Sequence, residues 1–223
     1  HAEDFEHRNR AQAAVCQRLA DGGALVRQDA VCPGQVEHGE GNVIFENGRG
    51  GGAALNFDGF QDSVVQNNLL YNNHATGIVL YVGFAADSST NNLITNNTVV
   101  MAEDARWALL MTDGSSGNVV TNNILLNKNP NRGSMTVEHN SLPARSDNNI
   151  VQDLFQMDGY NGSFASWQSF SGGMDAHSIV IGEGDPPGEH VQGDPPGKFA
   201  SLFVNPAAND YHLRPGSVAI DAG

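Results

Sequence analysis

The chain has 223 residues, with 11 lysines and arginines against 25 aspartates and glutamates, which gives a formal net charge of −14. So acidic a chain repels phosphate backbones and anionic membrane surfaces, which disfavours binding to nucleic acid or to a membrane surface. No apolar run approaches the roughly 18 residues that a membrane-spanning helix needs. The length suits one core of ordinary size or one elongated repeat domain.

Residues 1–37 form the first of three predicted segments. In AEDFEHRNRAQAAVCQRLADGG, acidic residues come early, arginines follow and a Gly-Gly pair ends the pattern, which predicts a helix over residues 3–20. We expect this helix to cap a stack of coils that begins after it. Cys16 and Cys32 lack the spacing of metal ligands, and they form a disulfide or remain thiols depending on the compartment.

Asparagines recur with a fixed period through residues 38–152, the second predicted segment. Twenty of the chain's 24 asparagines lie between residues 42 and 149. Successive equivalent positions are 26, 29, 26 and 26 residues apart, and a period of this size indicates a solenoid. Stacked coils bring these amides into one column, where each can bond to the next. The equivalent residues are Asn42, Asn68, Asn97, Asn123 and Asn149.

Three short strands fit within each period. One precedes the asparagine, as in Val119-Val120, one follows it, as in Ile124-Leu125-Leu126, and a third follows a polar loop, as in SMTVE. Parallel strands stacked about 4.8 Å apart from coil to coil explain the pattern, whereas an ordinary β-sandwich does not require a constant register. The predicted fold class is all-β: a parallel β-helix with three strands per coil and a period of about 26 residues.

The period disappears in residues 153–223, the third predicted segment, which we expect to form the last coils and an irregular C-terminal cap. Phe164, Trp167 and Phe170 in GSFASWQSFSG predict a short helix lying on the stack. The stretch GDPPGEHVQGDPPGK repeats Gly-Asp-Pro-Pro-Gly, and its prolines and glycines prevent regular structure. It is therefore predicted to be an exposed loop.

Residues 42–152 resemble the right-handed parallel β-helix repeat proteins of bacteria, and DYHLRPGSVAIDAG at residues 210–223 is similar to an ending that many such chains carry. The resemblance covers residues 40–223. It implies a right-handed parallel β-helix whose substrates lie in a groove along one outer face, beside the longest loops. The family includes polysaccharide lyases, glycoside hydrolases, phage tailspikes and adhesins, so the resemblance implies the fold far more specifically than the activity.

Acidic residues near the end of the third strand are candidates for glycoside hydrolysis. Alternation along this strand predicts that Asp58 and Glu138 face outwards, and Asp113 falls near them. Asp58, Asp113 and Glu138 lie on different coils, so they are separated by about 4.8 Å or about twice that. Retaining hydrolases need carboxylates roughly 5–5.5 Å apart and inverting ones roughly 6.5–9.5 Å, so both classes stay open.

A lyase acting on uronates needs a basic residue and a cation that neutralises the substrate carboxylate. Cationic residues in the loops before the third strand can supply the base, and Ca²⁺ bound by carboxylates can neutralise the substrate. The predicted catalytic residues are Asp58, Asp113, Glu138, Lys128 and Arg132, the predicted substrate-binding residues are Tyr81, His74, Arg106 and His139, and the predicted Ca²⁺ ligands are Asp58, Asp62 and Asp113.

Each of these residues also has a structural alternative. Asp58 and Asp113 each precede a glycine and can simply close a turn, and a lone lysine such as Lys128 is usually solvated. The leading hypothesis is an extracellular, carbohydrate-active protein, secreted or on the cell surface, that acts as a lyase or glycoside hydrolase on a polysaccharide. The alternative is a non-catalytic module: a glycan-binding protein, an adhesin or a structural surface element.

Overall fold

A computed structural model describes residues 38–181 and 202–222. In this part of the chain three parallel sheets enclose one apolar core, which confirms the predicted parallel β-helix. The predicted helix over residues 3–20, the two cysteines and the loop GDPPGEHVQGDPPGK lie outside the described residues. None of the helices within the described ranges has the length and apolar character of a membrane span.

Coils of three strands follow one another along the chain. Coil 1 comprises β1 (His38–Glu40), β2 (Val43–Phe45) and β3 (Ala53–Asp58); coil 2 comprises β4 (Val64–Gln66), β5 (Leu69–Tyr71) and β6 (Thr76–Tyr81); coil 3 comprises β7 (Leu93–Thr95), β8 (Thr98–Met101) and β9 (Leu109–Met111); coil 4 comprises β10 (Val119–Thr121), β11 (Ile124–Asn127) and β12 (Met135–Val137); coil 5 comprises β13 (Arg145–Asp147), β14 (Ile150–Gln152) and β15 (Phe155–Met157).

Each strand pairs in parallel with its equivalent in the next coil. The first strands form sheet A, the second strands sheet B and the third strands sheet C. The register follows the sequence period, since Val119 in β10 lies opposite Leu93 in β7 and Arg145 in β13. A section through the molecule is therefore a triangle with three corners, which we name A–B, B–C and C–A after the sheets that meet there.

Asparagine pairs form the A–B corner, and the two members of each pair have different structural roles. The first member takes a left-handed backbone, with φ between 55° and 58° at Asn67, Asn96, Asn122 and Asn148. Asparagine is one of the few residues besides glycine that adopt this conformation readily. Gly41 provides the same turn in coil 1, with φ 68°. Each first member turns the chain and leaves the second to point inwards.

The second members form the predicted ladder. Asn68 donates from Nδ2 to Asn97 Oδ1 at 2.8 Å, Asn97 to Asn123 at 3.0 Å and Asn123 to Asn149 at 3.1 Å. The same Oδ1 atoms accept backbone N–H groups from the coil before, as Asn123 Oδ1 does from Asn97. Asn97 and Asn123 are each only 1 % exposed. Inward-facing amides are thus fully paired along the stack, as buried polar groups require.

The core fills with the inward side chains of all three sheets. Leu, Ile or Val side chains buried this completely each contribute about 1.5–3 kcal/mol relative to exposure. Every residue of the third strands that the alternation predicts to point inwards is buried, which confirms the predicted register: Leu55, Phe57, Ile78, Leu80, Leu109, Met111, Met135 and Val137.

A short helix covers the last coil, as predicted. It is α1 (Phe164–Ser171), and it follows β16 (Tyr160–Gly162), which pairs antiparallel with β15. Ser163 caps its start by accepting the backbone N–H of Ser166, and Gly172 ends it with φ 76°. Trp167 is completely buried, and its ring stacks on Phe155 with centroids 5.6 Å apart. The helix therefore closes the open end of the core.

The end of the chain packs on the side of the stack. After β17 (Ile179–Ile181), which extends sheet B, the hairpin of β18 (Phe203–Asn205) and β19 (Asp210–Leu213) follows. Its residues Phe203 and Tyr211 join an apolar cluster on the outer face of sheet B. The sheet B members of this cluster are Val100, Ile124, Leu126, Ile150 and Ile181.

Candidate functional site

The B–C corner concentrates the positive charge of the described residues. Four loops meet there: residues 46–52, 72–75, 102–108 and 128–134. The described residues contain six lysines and arginines, and four of them lie in these loops. They are Arg49, Arg106, Lys128 and Arg132. The same loops carry three carboxylates, Glu46, Glu103 and Asp104, so positive charges outnumber negative ones there by four to three on a chain with a net charge of −14. This local balance favours an anionic ligand.

An open cleft of about 400 Å³ lies at this corner, across coils 1 to 3. Gly48, with φ 88°, allows the loop of residues 46–52 to pack closely against the loop of residues 72–75. A Cβ at this position would lie only 2.7 Å from Ala75 Cβ. We call this the B–C cleft, and its lining residues are Gly48, Arg49, Gly51, His74, Ala75, Asp104 and Arg106.

His74 forms the centre of the cleft wall. Its Nδ1 lies 2.6 Å from Asp104 Oδ1 and its Nε2 lies 3.1 Å from Glu46 Oε2, so three coils contribute to one chain of contacts. Both nitrogens can donate only when the ring is doubly protonated. Arg49 donates to the same Glu46 oxygen at 2.9 Å. The His74 contact, helped by Arg49, lowers the pKa of Glu46 despite partial burial.

Lys128 crosses from coil 4 to coil 2. Its Nζ donates to Asn72 Oδ1 at 2.7 Å, and Asn72 in turn donates to Asn209 Oδ1 at 3.2 Å, which links the corner to the C-terminal hairpin. Burial lowers the pKa of Lys128, although the negative charges of Glu103 and Glu46 oppose the shift. Lys128 does not line the cleft, so its contacts favour a role in joining coils.

Arg132 and Arg106 behave differently from each other. The Arg132 guanidinium carbon lies 5.9 Å from the ring centroid of buried Trp107, within the range of a cation–π contact. Arg106 is exposed and lines the cleft, and its backbone carbonyl accepts the Asn127 side chain from the next coil. The Arg106 guanidinium is therefore the better placed of the two to meet a ligand in the cleft.

The predicted acidic residues lie at the C–A corner. Asp58 accepts backbone N–H groups from Gly83 and Phe84 at 2.8 Å each and from Ala85 at 3.2 Å. Burial opposes ionisation of Asp58, but the three donors outweigh it and lower the pKa of this carboxyl. Asp58 thus holds a loop of the neighbouring coil, which differs from the simple turn closure considered as its alternative role.

The other residues predicted near this corner also have local partners. Glu138 Oε2 accepts the backbone N–H of Asp113 at 3.0 Å. The His139 ring packs edge-on against Phe170 at 5.4 Å. Asp62 is exposed with φ 51°, and Tyr81 lies opposite Asp58 in the register of β6 and β3. These residues form a row along the stack.

The structure separates the two predicted sets along sheet C. Asp58 is the last residue of β3 and Glu138 follows β12, whereas His74 and Lys128 lie in the loops that precede the third strands of their coils. A six-residue strand such as β6 spans about 17–20 Å. The acidic and cationic residues therefore do not converge on one reacting atom, although a long ligand could contact both ends of the sheet.

Two residues that are prominent in the structure, Glu46 and Phe84, were not predicted from the sequence. Glu46 precedes His74 by 28 residues, close to one period, so counting by the repeat could have placed it beside His74. Phe84 is 99 % exposed in a loop at the C–A corner, and only its apolar character among small and polar neighbours signals it in the sequence.

Within the described ranges no group of three or more His, Cys, Asp or Glu residues is arranged to hold a metal ion. Calcium binding through Asp58, Asp62 and Asp113 stays a prediction. Comparisons with protein-family models, with curated proteins and with solved structures find no match for the chain. Fold and corner geometry together define the class: a parallel β-helix protein with a charged, open cleft at one corner.

Proposed function

We propose that this protein is an extracellular carbohydrate-active β-helix protein that binds an acidic polysaccharide in the B–C cleft. The observation that carries the proposal is the lining of the cleft, where the exposed guanidinium groups of Arg49 and Arg106 present donors on an otherwise acidic chain. Guanidinium groups donate in a planar fork that matches the two oxygens of a carboxylate. A polyuronate has such a carboxylate on every sugar ring.

The shape of the cleft also favours a polymer. Compact small-molecule sites enclose most of their ligand, whereas this cleft is open across three coils and carries polar side chains and glycines. The Asp104 carboxylate can accept hydrogen bonds from sugar hydroxyl groups, while the arginines donate hydrogen bonds to the sugar carboxylates. A chain that enters and leaves the cleft fits these features better than a buried metabolite does.

Cleavage by β-elimination is the second candidate: burial lowers the pKa of Lys128, but its Nζ donates to Asn72 and lies outside the cleft lining. A base must be unprotonated to remove a proton, and a lower pKa raises that fraction near neutral pH. Glycoside hydrolysis by Asp58, Asp113 and Glu138 has less support, because Asp58 and Glu138 already accept backbone N–H groups. Binding without cleavage remains the function that the geometry supports best.

Calorimetry with oligouronates and with neutral β-linked oligosaccharides tests the proposal. We expect uronates to bind and Arg106→Ala to weaken binding about tenfold, the low end for loss of a charge-assisted hydrogen bond. Arg145→Ala is the matched control, because Arg145 is also exposed but lies in sheet A. If uronates do not bind, or if Arg145→Ala weakens uronate binding as much as Arg106→Ala does, the cleft is not the binding site.

A further inference from the structure

Phe84 stands in a loop, residues 82–92, that connects coil 2 to coil 3 and leaves its ring 99 % exposed. A single exposed apolar side chain is common on protein surfaces and needs no explanation by itself. Phe84 differs because the loop beneath it is anchored by both neighbouring coils. A loop whose backbone is already held in place loses little conformational entropy when a side chain that it carries contacts a ligand.

Coil 1 provides the first anchors of this loop. The Asp58 carboxylate accepts the consecutive backbone N–H groups of Gly83, Phe84 and Ala85. Gly59 packs against the same loop so closely that a Cβ on it would lie 2.2 Å from Ala85 Cβ. The backbone on both sides of the Phe84 ring is thus fixed against the coil below.

Coil 3 provides a further anchor, and coil 1 adds another. Ser88 donates from Oγ to the backbone oxygen of Asp113 at 2.6 Å, and Gln61 donates to the backbone oxygen of Ser88 at 3.0 Å. Gly83 lies against the ring of Tyr81, since a Cβ there would be 2.9 Å from Tyr81 Cε2. The loop backbone just before Phe84 is therefore packed against Tyr81, the last residue of β6.

One strand connects the Phe84 loop to the B–C cleft. His74 and Ala75 of the cleft immediately precede β6, and Phe84 follows its last residue by three positions. Two half-buried residues of this strand alternate with the buried Ile78 and Leu80: Val79 within the strand and Tyr81 at its end. The strand spans about 17–20 Å, so a ligand that touches both ends is a chain and not a single sugar.

We infer that the polysaccharide runs along the outer face of β6, from the B–C cleft to the C–A corner, and that Phe84 stacks against a sugar ring at the far end. This inference rests on the proposed function and adds a second contact region to it. Phe84 is the contact residue, and Asp58 is a positioning residue that holds the loop without touching the ligand. The ligand is thereby an oligouronate long enough to span β6.

Calorimetry with an oligouronate length series, from disaccharide to hexasaccharide, tests the inference. Phe84→Ala should lower the affinity for the hexasaccharide roughly threefold to tenfold, as expected for loss of one aromatic contact. The affinity for the disaccharide should stay unchanged. Phe84→Trp should retain the affinity. Tyr160→Ala is the matched control, because Tyr160 is also a highly exposed aromatic residue, 79 % exposed, but lies beyond coil 5.

Asp58→Ala should reproduce the selective loss for long ligands, with faster amide exchange at Gly83, Phe84 and Ala85, and Asp58→Asn should restore part of the affinity. Binding that depends on Arg106 but not on Phe84 overturns the inference and leaves the proposed function standing. An equal loss for short and long ligands in Phe84→Ala overturns it as well. Absence of any uronate binding overturns both proposals.

Discussion

Asn149 donates from its side-chain amide to the Asp175 carboxylate at 2.9 Å, so the asparagine ladder ends on a charged acceptor. Asp175 follows Asn149 by 26 residues and is 1 % exposed. It also accepts from Trp167 Nε1 at 2.8 Å and from Ser178 Oγ at 2.6 Å. An amide both accepts and donates, whereas a carboxylate only accepts. Asp175 therefore terminates the column where helix α1 closes the core.

Asp175→Ala tests this termination. The change leaves Asn149, Trp167 and Ser178 without their acceptor in a buried position, and each unpaired group costs about 1–3 kcal/mol. We expect a loss of roughly 3 kcal/mol or more in the free energy of unfolding, measured by urea denaturation. Asp87→Ala, at an exposed aspartate, is the control and should change it by less than about 0.5 kcal/mol.

A smaller loss is expected for Asp175→Asn. The Asn oxygen can still accept from Asn149, but its amide nitrogen would then face the Trp167 N–H as a second donor. Equal stability of the wild type and both Asp175 variants would contradict the assigned role of this carboxylate.

Within the ladder, Asn97→Ala is expected to destabilise the protein by about 1–3 kcal/mol, because it leaves the Asn68 amide and the Val65 carbonyl without their Asn97 partners. Asn96→Gly is the matched control one residue earlier. Asn96 is exposed with φ 55°, a conformation that glycine adopts freely, so this change should be nearly neutral. The ladder interpretation fails if Asn97→Ala melts like the wild type.

Acid titration of stability should report the contact between Glu46 and His74. Because the folded-state pKa of Glu46 lies below its ordinary value of 4.5, ionised Glu46 stabilises the fold above that pH. This contribution disappears as the pH falls below 4.5 and through the folded pKa. Glu46→Gln should therefore flatten the stability profile in this acid range, and chemical denaturation at stepped pH measures the difference.

A double-mutant cycle with His74→Ala separates this contact from general charge effects. His74 supplies the largest cause of the Glu46 shift, so Glu46→Gln should have little further effect on the acid profile in the His74→Ala background. The assignment would be wrong if Glu46→Gln changed the profile equally with and without His74.

Lys128→Met separates binding from cleavage. If the protein cleaves uronates by β-elimination with Lys128 as base, the variant should lose the ultraviolet absorbance of unsaturated products while calorimetry still detects uronate binding. Cleavage that persists in Lys128→Met would assign the base to another residue. Loss of binding together with a lower melting temperature would instead indicate that Lys128 chiefly joins coils 4 and 2 through Asn72.

The sequence alone was sufficient for the coil, the ladder and the inward faces of the third strands. Each of these depends on a local rule applied once per period: left-handed asparagine at the corner, a buried amide after it, and alternation along a strand. The same counting also reaches Asp175, which lies one period after Asn149. Repetition multiplies a weak local signal until it specifies a register.

Only the tertiary structure decided which charged groups meet. Glu46, His74 and Asp104 come from three coils, and their contacts depend on loops of different lengths whose conformations no period constrains. Asp58 is a comparable case, because its partners are backbone N–H groups of the next coil that leave no trace in side-chain identity. A period determines which backbone positions are neighbours, whereas the partners of long polar side chains depend on packing, distance and competing hydrogen bonds.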